Sequence, residues 1–299
     1  MTPKLPLHTA LLLTIPPVLW AGNAVVGRLV HAWVPPVTLN LLRWVLAFFI
    51  LLPMAASIFK ADSGLWQHWK RFALLGLLGV GLYNALQYLA LQSSSPINVT
   101  LVAASMPVWM LGVGWLFYGV KVSLRQLLGA LLSIIGVLVV LSRGQWQQLL
   151  AMRLVAGDLF ILLATLCWAF YSWLLIKGND PAKLKSHWAR FLLAQVTFGI
   201  FWSAACSAIE WAWLPQAHIL WSWQLLAALA YIAIGPAVIA FRCWGAGVQQ
   251  AGPNIAAFFG NLTPLFAALL SSAILGELPH LYHLLAFVLI VSGIVLSSR

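Results

Sequence analysis

The sequence contains very few charged residues. Only 7% of its 299 residues are Asp, Glu, Lys or Arg, whereas 63% are hydrophobic. A soluble domain carries roughly 25% charged residues, so this composition excludes an ordinary soluble domain. The 17 tryptophans add to the contrast, because indole rings favour membrane–water interfaces and apolar cavities. We therefore expect a protein whose natural solvent is the lipid bilayer.

Acidic residues are the scarcest charged group, with 5 Asp and Glu against 16 Lys and Arg. The resulting net charge of +11 could indicate binding to nucleic acid. However, the basic residues stand singly or in short groups between long apolar runs, and they form no basic stripe. The charge is better explained by orientation in a membrane and by attraction to anionic lipid heads. We expect no nucleic-acid partner.

Motifs for catalysis and for metal binding are also missing. The three cysteines, Cys167, Cys206 and Cys243, each lie in an apolar run. Their odd number and spacing argue against a disulfide framework or a zinc site. The loops carry no cluster of carboxylates or histidines, as a lipid transferase would need, and no phosphate-cradling motif. We therefore expect no enzyme activity, no catalytic residue, no cofactor and no metal. A channel would need a continuous polar stripe or ring of charges, and the polar residues are too scattered for one.

Long apolar runs divide the chain into ten predicted membrane-spanning helices, since each span needs about 20 mostly apolar residues. The first run lacks a small-x-small cleavage site, so it is interpreted as a span rather than a removed signal peptide. The expected fold is an all-α membrane protein. The predicted spans are 9–29, 38–58, 72–91, 97–118, 125–142, 157–176, 188–209, 224–246, 254–275 and 281–298.

The lysines and arginines of the loops predict the orientation, because they concentrate on the cytoplasmic side. With the N-terminus in the cytoplasm, ten of them lie inside and three lie outside. The inner set is Lys4, Lys60, Lys70, Arg71, Lys121, Arg125, Lys177, Lys183, Lys185 and Arg299. The outer set is Arg28, Arg143 and Arg153. Both termini are therefore expected in the cytoplasm, with the chain in a bacterial inner membrane.

The chain contains an internal repeat. Residues 96–136 align with residues 253–293 at a constant offset of 157. The matched pairs include Pro96 with Pro253, Pro107 with Pro264, Gly119 with Gly276, Gly129 with Ala286, Gly136 with Gly293, and, at a smaller offset, Trp20 with Trp168 and Arg43 with Arg190. Each half holds five predicted spans, and an odd number inverts the second half relative to the first. Residues 1–143 and 157–299 are thus predicted to be inverted repeats, a recurrent plan of secondary transporters.

These features together resemble the drug/metabolite transporter superfamily, and specifically its EamA-type members, over nearly the whole chain. The resemblance rests on the duplication, the tryptophan-centred first span and the arginine of the second span in each half, the paired prolines, and Gly276-Glu277. Within the superfamily the chain is most similar to the YddG-type exporters of aromatic and other amino acids. It departs from the family pattern at Gly119-Val120-Lys121, where family halves often have Gly-Glu. An acidic role at that position is therefore absent from the first half.

Polar and aromatic residues in the middle of predicted spans are the candidate substrate site. Polar groups in lipid are expensive, so they should face the protein interior or a watery cavity. The candidates are Trp20, Asn23, Arg43, Tyr83, Gln87, Trp109, Trp168, Tyr171 and Asn261. Aromatic rings and a few hydrogen-bonding groups suit a zwitterion with an apolar side chain, and an arginine can bind a carboxylate with two hydrogen bonds. The alternatives are interhelical hydrogen bonding for the amides, core or lipid-facing packing for the aromatics, and a helix cap for Arg43.

Pro107 and Pro264 are predicted near the middle of the fourth and ninth spans. A proline there removes one backbone hydrogen bond and permits a kink. The kink is either a hinge for gating or a static bend, and the matched placement does not separate the two.

We expect an exporter of small metabolites, most of all aromatic and other amino acids, that works by alternating access. The five acidic residues lie in loops or at helix ends, so no mid-membrane carboxylate supports proton coupling. His283 lies near the start of the tenth span, where the first half has Gln126. A facilitative mechanism is the simpler hypothesis; the alternative is an exporter of hydrophobic drugs or other metabolites, or a proton-coupled carrier. The small-residue stripes permit a monomer or a weak homodimer.

Overall fold

The computed structural model describes residues 5–94, 96–145, 147–150, 155–214, 216–275 and 280–298. Within these ranges the chain is helical and has no strand, and twelve helices form its body. Their bounds are α1 Leu7–Val30, α2 Pro36–Ala55, α3 Trp69–Ser93, α4 Pro96–Ala103, α5 Met106–Tyr118, α6 Leu124–Leu141, α7 Ala156–Ile176, α8 Trp188–Trp213, α9 Trp223–Ala251, α10 Pro253–Gly260, α11 Leu262–Leu275 and α12 Leu281–Ser297. The predictions for Lys4, Arg153, Gly276, Glu277 and Arg299 lie outside the described residues.

Most of these helices have the length and composition of membrane spans. Eight stretches of the described chain are long and apolar enough to cross a membrane, and α5 and α12 are shorter apolar helices. The prediction of an all-helical, multi-pass membrane protein is therefore confirmed. The arrangement as ten spans stays a prediction, because the fourth and ninth predicted spans are each divided between two helices.

Both divisions occur just before a predicted hinge proline. The fourth span is interrupted at Ala104 and Ser105, and the ninth at Asn261. Pro107 and Pro264 consequently lie in the first turn of α5 and of α11. Backbone N–H groups of a first turn have no acceptor within the helix, so a proline there costs no intrahelical hydrogen bond. The prediction that these prolines kink continuous helices is wrong in that respect. The helices are instead interrupted at the residues before them, and a hinge role stays a prediction.

Two helices contain matched π-helical segments, in which the backbone bonds run from i to i+5. The segments are Gly76–Leu82 in α3 and Ala233–Ile239 in α9. They lie 157 residues apart. The offset that aligns residues 96–136 with residues 253–293 therefore also holds further toward the N-terminus. Such segments are rare and occur frequently at functional sites.

Helices α6 and α12 cross in an antiparallel arrangement at their glycines. A Cβ atom added to Gly129 would lie 2.7 Å from the carbonyl oxygen of Gly293, and one added to Gly293 would lie 2.6 Å from that of Gly129. A Cβ on Gly136 would lie 3.0 Å from the carbonyl oxygen of Ala286. Ala286 and Gly293 are the repeat equivalents of Gly129 and Gly136. The contact between Gly129 and Gly293 is therefore the repeat equivalent of the contact between Gly136 and Ala286. The stripe of small residues therefore serves close helix packing.

The start of α2 is held by a buried carboxylate from α8. Glu210 accepts hydrogen bonds from the backbone N–H groups of Val37 at 2.8 Å and Thr38 at 2.7 Å, and from the Thr38 hydroxyl at 2.8 Å. A negative charge is favourable at a helix N-terminus, where the N–H groups have no partner within the helix. This cap fixes α2, and with it Arg43, against α8.

Candidate functional site

Two equivalent tryptophans meet in the centre of the protein. The rings of Trp20 on α1 and Trp168 on α7 lie with centroids 5.3 Å apart and planes at 86°. Around them, neighbouring ring centroids lie between 4.6 and 6.0 Å apart. We call this group the aromatic cluster: Trp20, Trp44, Tyr83, Trp168, Tyr171, Phe241 and Trp244. Helices α1, α2, α3, α7 and α9 therefore converge here.

The aromatic cluster is closed in this conformation. Trp44, Trp168 and Trp244 have no exposed surface. Tyr171 donates a hydrogen bond from its hydroxyl to Oε1 of Gln195 at 2.9 Å, which anchors this side of the cluster to α8. A ligand would have to separate these rings or enter beside them.

Arg43 is buried next to the aromatic cluster without a carboxylate partner among the described residues. Its side chain is only 1% exposed, and Nη1 donates to Oδ1 of Asn84 at 3.2 Å. The guanidinium carbon lies 5.1 Å from the ring centroid of Trp44. The two ion pairs in the described ranges join other residues. A buried charge without a partner is destabilising by several kcal/mol, so an anionic ligand at Arg43 would relieve a real penalty.

Most of the unpaired polar atoms on the turns of α2 and α3 that carry Arg43 and Asn84 can donate a hydrogen bond, whereas Oδ1 of Asn40, one turn before Arg43, is an unpaired acceptor. Nε of Arg43, Nε1 of Trp44, Nδ2 of Asn84 and the hydroxyl of Tyr88 are buried and have no protein partner. Asn84 and Tyr88 lie one turn apart on α3 and therefore share a face. The indole N–H of Trp168 is unpaired as well. A carboxylate offers about four acceptor positions, so it has the chemistry that this group of donors lacks.

Other predicted site residues differ in their surroundings. Asn23 is buried one turn beyond Trp20 on α1, and its Oδ1 has no protein partner. Gln87 is half-buried, one turn beyond Tyr83 on α3. Trp20, Tyr83 and Trp168 are in contact within the aromatic cluster, and Asn23 and Gln87 follow two of them by one helical turn; a substrate role for these residues stays a prediction.

Trp109 and Asn261 have hydrogen-bond partners within the protein instead. Trp109 donates from Nε1 to the hydroxyl of Ser105 at 2.9 Å, in the turn between α4 and α5. Asn261 donates from Nδ2 to the carbonyl of Ala104 at 3.2 Å and to the hydroxyl of Ser133 at 2.9 Å. Asn261 thereby joins the two interrupted spans to each other. These contacts favour the interhelical hydrogen-bonding alternative for Asn261.

The sequence reasoning missed several members of the site. Trp44, Phe241 and Trp244 were not predicted, although Trp44 directly follows Arg43. Phe241 and Trp244 lie 157 residues after Asn84 and Gln87, so extending the repeat toward the N-terminus would have found them.

Comparison with known proteins identifies the chain's relatives. The model of the EamA-like transporter family matches it twice, at residues 8–142 and 155–299. The uncharacterized transporter YyaM of Bacillus subtilis is 23% identical over 76% of this chain and 72% of its own length. An uncharacterized transporter of Archaeoglobus fulgidus is 23% identical over 97% of both chains. A crystal structure covering 97% of this chain and 96% of its own superposes with a TM-score of 0.75 at 20% identity; at that identity it supports the fold alone.

Proposed function

Since the chain belongs to the EamA-like transporter family, we propose that it exports amino acids, including aromatic ones, across a bacterial inner membrane by alternating access. The relatives described above are named as transporters, so transport of a small molecule is the activity that the family supports. The amino-acid substrate is our inference from the centre of the protein. It rests on one observation above all, the buried Arg43 with its unpaired donors.

A zwitterion with an apolar side chain is complementary to this centre. Its carboxylate would accept hydrogen bonds from Arg43 and from the neighbouring donors of Trp44 and Asn84. Its ammonium group would lie against aromatic faces or donate to the unpaired Oδ1 of Asn23. Its side chain would insert among the rings of the aromatic cluster. A neutral hydrophobic drug, the alternative substrate, would leave the charge of Arg43 unpaired.

We further propose that the two matched segments are inverted repeats of five spans each, whose relative movement opens the centre to either side. Four matched features support this arrangement. They are the π-helical segments of α3 and α9, the interruptions before Pro107 and Pro264, the reciprocal α6–α12 contacts, and the caps at the starts of α6 and α12. In these caps Gln126 and His283 each bond the backbone N–H of the residue three positions before them. The interruptions, joined by Asn261, are the proposed hinges.

Transport is proposed to be facilitative. The buried Glu210 is occupied by three hydrogen bonds at the start of α2, and His283 is occupied in a helix cap. Proton-coupled carriers commonly use a titratable group at mid-depth, and these two groups have structural partners instead.

Resistance to toxic amino-acid analogues tests the substrate. The chain is produced in a host killed by a fluorinated phenylalanine, and survival is compared among wild type, Trp168→Ala, Trp168→Phe and Trp213→Ala. Trp213 is 82% exposed and serves as the control for loss of a tryptophan. We expect protection by wild type and the control, loss with Trp168→Ala, and an intermediate result with Trp168→Phe, at equal membrane abundance. Absence of protection by wild type against every analogue tried would refute the amino-acid proposal.

Counterflow in proteoliposomes tests the energetics. Vesicles loaded with unlabelled amino acid should accumulate labelled amino acid at equal internal and external pH. Accumulation that requires a pH gradient would refute the facilitative mechanism and favour proton coupling.

A further inference from the structure

A cavity of about 110 Å³ lies at one end of the protein, away from the aromatic cluster. We call this end the basic end, because it carries Lys60, Arg71 and Lys183. The cavity lies between the turns that follow α2 and the segment that leads into α8. Its lining residues are Ser57, Ile58, Lys60, Asp62, Ser63, Lys183, Leu184 and Arg190.

The lining has an excess of positive charge. It holds three cationic side chains, Lys60, Lys183 and Arg190, against the single carboxylate of Asp62. Lys183 and Asp62 pair at 2.7 Å, which leaves Lys60 and Arg190 as uncompensated charges in the lining. Nε of Arg190 is buried and has no protein partner, and its Nη1 reaches only the carbonyl of Lys183 at 3.4 Å. The cavity therefore presents a net excess of cationic side chains to any group inside it, and Arg190 keeps unused hydrogen-bonding capacity beside it.

Exposed tryptophans close to the cavity in sequence favour a position for it near the lipid head groups. Trp66 and Trp69, in the segment that follows the cavity-lining turns, are 50% and 49% exposed. Tryptophan is enriched where the hydrocarbon core meets water. Nearby, Lys70 lies 5.8 Å from the ring centroid of Trp69, an arrangement in which a cation and an indole share the interface.

We propose that this cavity binds a phosphate group, carried by an anionic lipid or free in solution. Guanidinium groups bind phosphate with short, charge-assisted hydrogen bonds. Basic pockets between spans bind lipid phosphates on the positively charged side of membrane proteins. The site is independent of the proposed substrate site, because Arg190 and Lys60 belong to the basic end and not to the aromatic cluster.

Native mass spectrometry of the purified full-length chain tests the proposal. Wild type, Lys60→Gln, Arg190→Gln and Lys185→Gln are compared after delipidation and addition of phosphatidylglycerol or phosphatidylcholine. Lys185 is exposed at the same end but does not line the cavity, so it matches the change in net charge. We expect one retained phosphatidylglycerol in wild type and the control, with affinity reduced roughly fivefold for each removed charge. The exposed Lys60 provides a variant with little risk of misfolding should Arg190→Gln be unstable.

Phosphorus NMR with inorganic phosphate separates the two sources. Selective retention of phosphatidylglycerol that millimolar phosphate does not displace supports a lipid head group. Line broadening of inorganic phosphate that Lys60→Gln and Arg190→Gln abolish, without lipid preference, supports free phosphate. The proposal is overturned when both variants retain lipid and broaden phosphate as strongly as Lys185→Gln does.

Discussion

Replacing Arg43 by Gln should separate a binding role from a structural one. Glutamine keeps an N–H donor for Oδ1 of Asn84, which Nη1 of Arg43 contacts at 3.2 Å, but it removes the buried charge. An uncompensated buried charge costs about 3–5 kcal/mol. We therefore expect the substrate-free Arg43→Gln protein to be at least as stable as wild type, which is unusual for substitution of a residue that is 1% exposed.

Substrate binding should change in the opposite direction. A carboxylate would lose two charge-assisted hydrogen bonds of about 1.5–3 kcal/mol each. The total of about 3–6 kcal/mol corresponds to a dissociation constant weakened roughly a hundredfold to ten-thousandfold. Arg43→Lys keeps the charge but loses the two-pronged geometry, so its affinity should lie between those of Gln and wild type.

Thermal unfolding followed by tryptophan fluorescence, with and without amino acid, measures both effects on one sample. Wild type should show a rise in Tm with substrate, and Arg43→Gln should show none. Arg242→Gln is the control, because Arg242 is exposed and its guanidinium carbon lies 4.5 Å from the ring centroid of Trp188, which is not a member of the aromatic cluster. A lower substrate-free Tm together with an undiminished substrate effect would show that Arg43 only supports the fold.

Four further predictions concern stability. Glu210→Gln should lower stability by about 2–4 kcal/mol, because the amide cannot satisfy all three donors at the start of α2; an unchanged Tm would contradict the cap. Asn261→Ala should cost about 1–3 kcal/mol by leaving a buried carbonyl and a buried hydroxyl unpaired, whereas a pure substrate contact would alter transport at constant Tm. Gly293→Leu should reduce the yield of folded protein in size-exclusion chromatography, since its Cβ would lie 2.6 Å from a backbone oxygen of α6. Lys183 lowers the pKa of Asp62 below its ordinary value of 3.8, so any stabilisation from this pair is present above that pH and is lost as the pH falls through the lowered pKa. Both side chains are exposed, however. Asp62→Asn should therefore leave Tm unchanged at neutral pH.

The helices and the internal repeat could be predicted from the sequence because both depend on short sequence patterns. Apolar runs of spanning length have few alternatives to a helix in lipid. The paired prolines at 96 and 253 begin α4 and α10, where their missing N–H is harmless. The offset of 157 also pairs the π-helical segments of α3 and α9, and Trp20 and Trp168, which the sequence pairs at a smaller offset, are in contact.

The roles of individual polar residues could not be read from the sequence, because they depend on partners far along the chain. Asn261 and Asn84 are both amides in apolar runs, yet one joins two interrupted helices and the other contacts Arg43. Glu210 seemed to begin a loop, but it caps a helix more than 170 positions earlier. The interruption at Ala104 and Ser105 had no local signal beyond the nearby proline, since both residues occur readily within helices.

In the proposed arrangement of inverted repeats, the contact between Trp20 and Trp168 corresponds to a contact across the twofold axis of a homodimer. In a pair of identical chains, both sides of the twofold axis carry the same groups, and a ligand on the axis is held equally well in two reversed orientations. A single chain is free of that degeneracy. Asn23 lies on one side where the other has Tyr171, and the counterpart of Arg43 is Arg190, which lines the cavity at the basic end. For the proposed substrate, a molecule with one charged and one apolar end, the centre of the protein would therefore favour one of the two orientations.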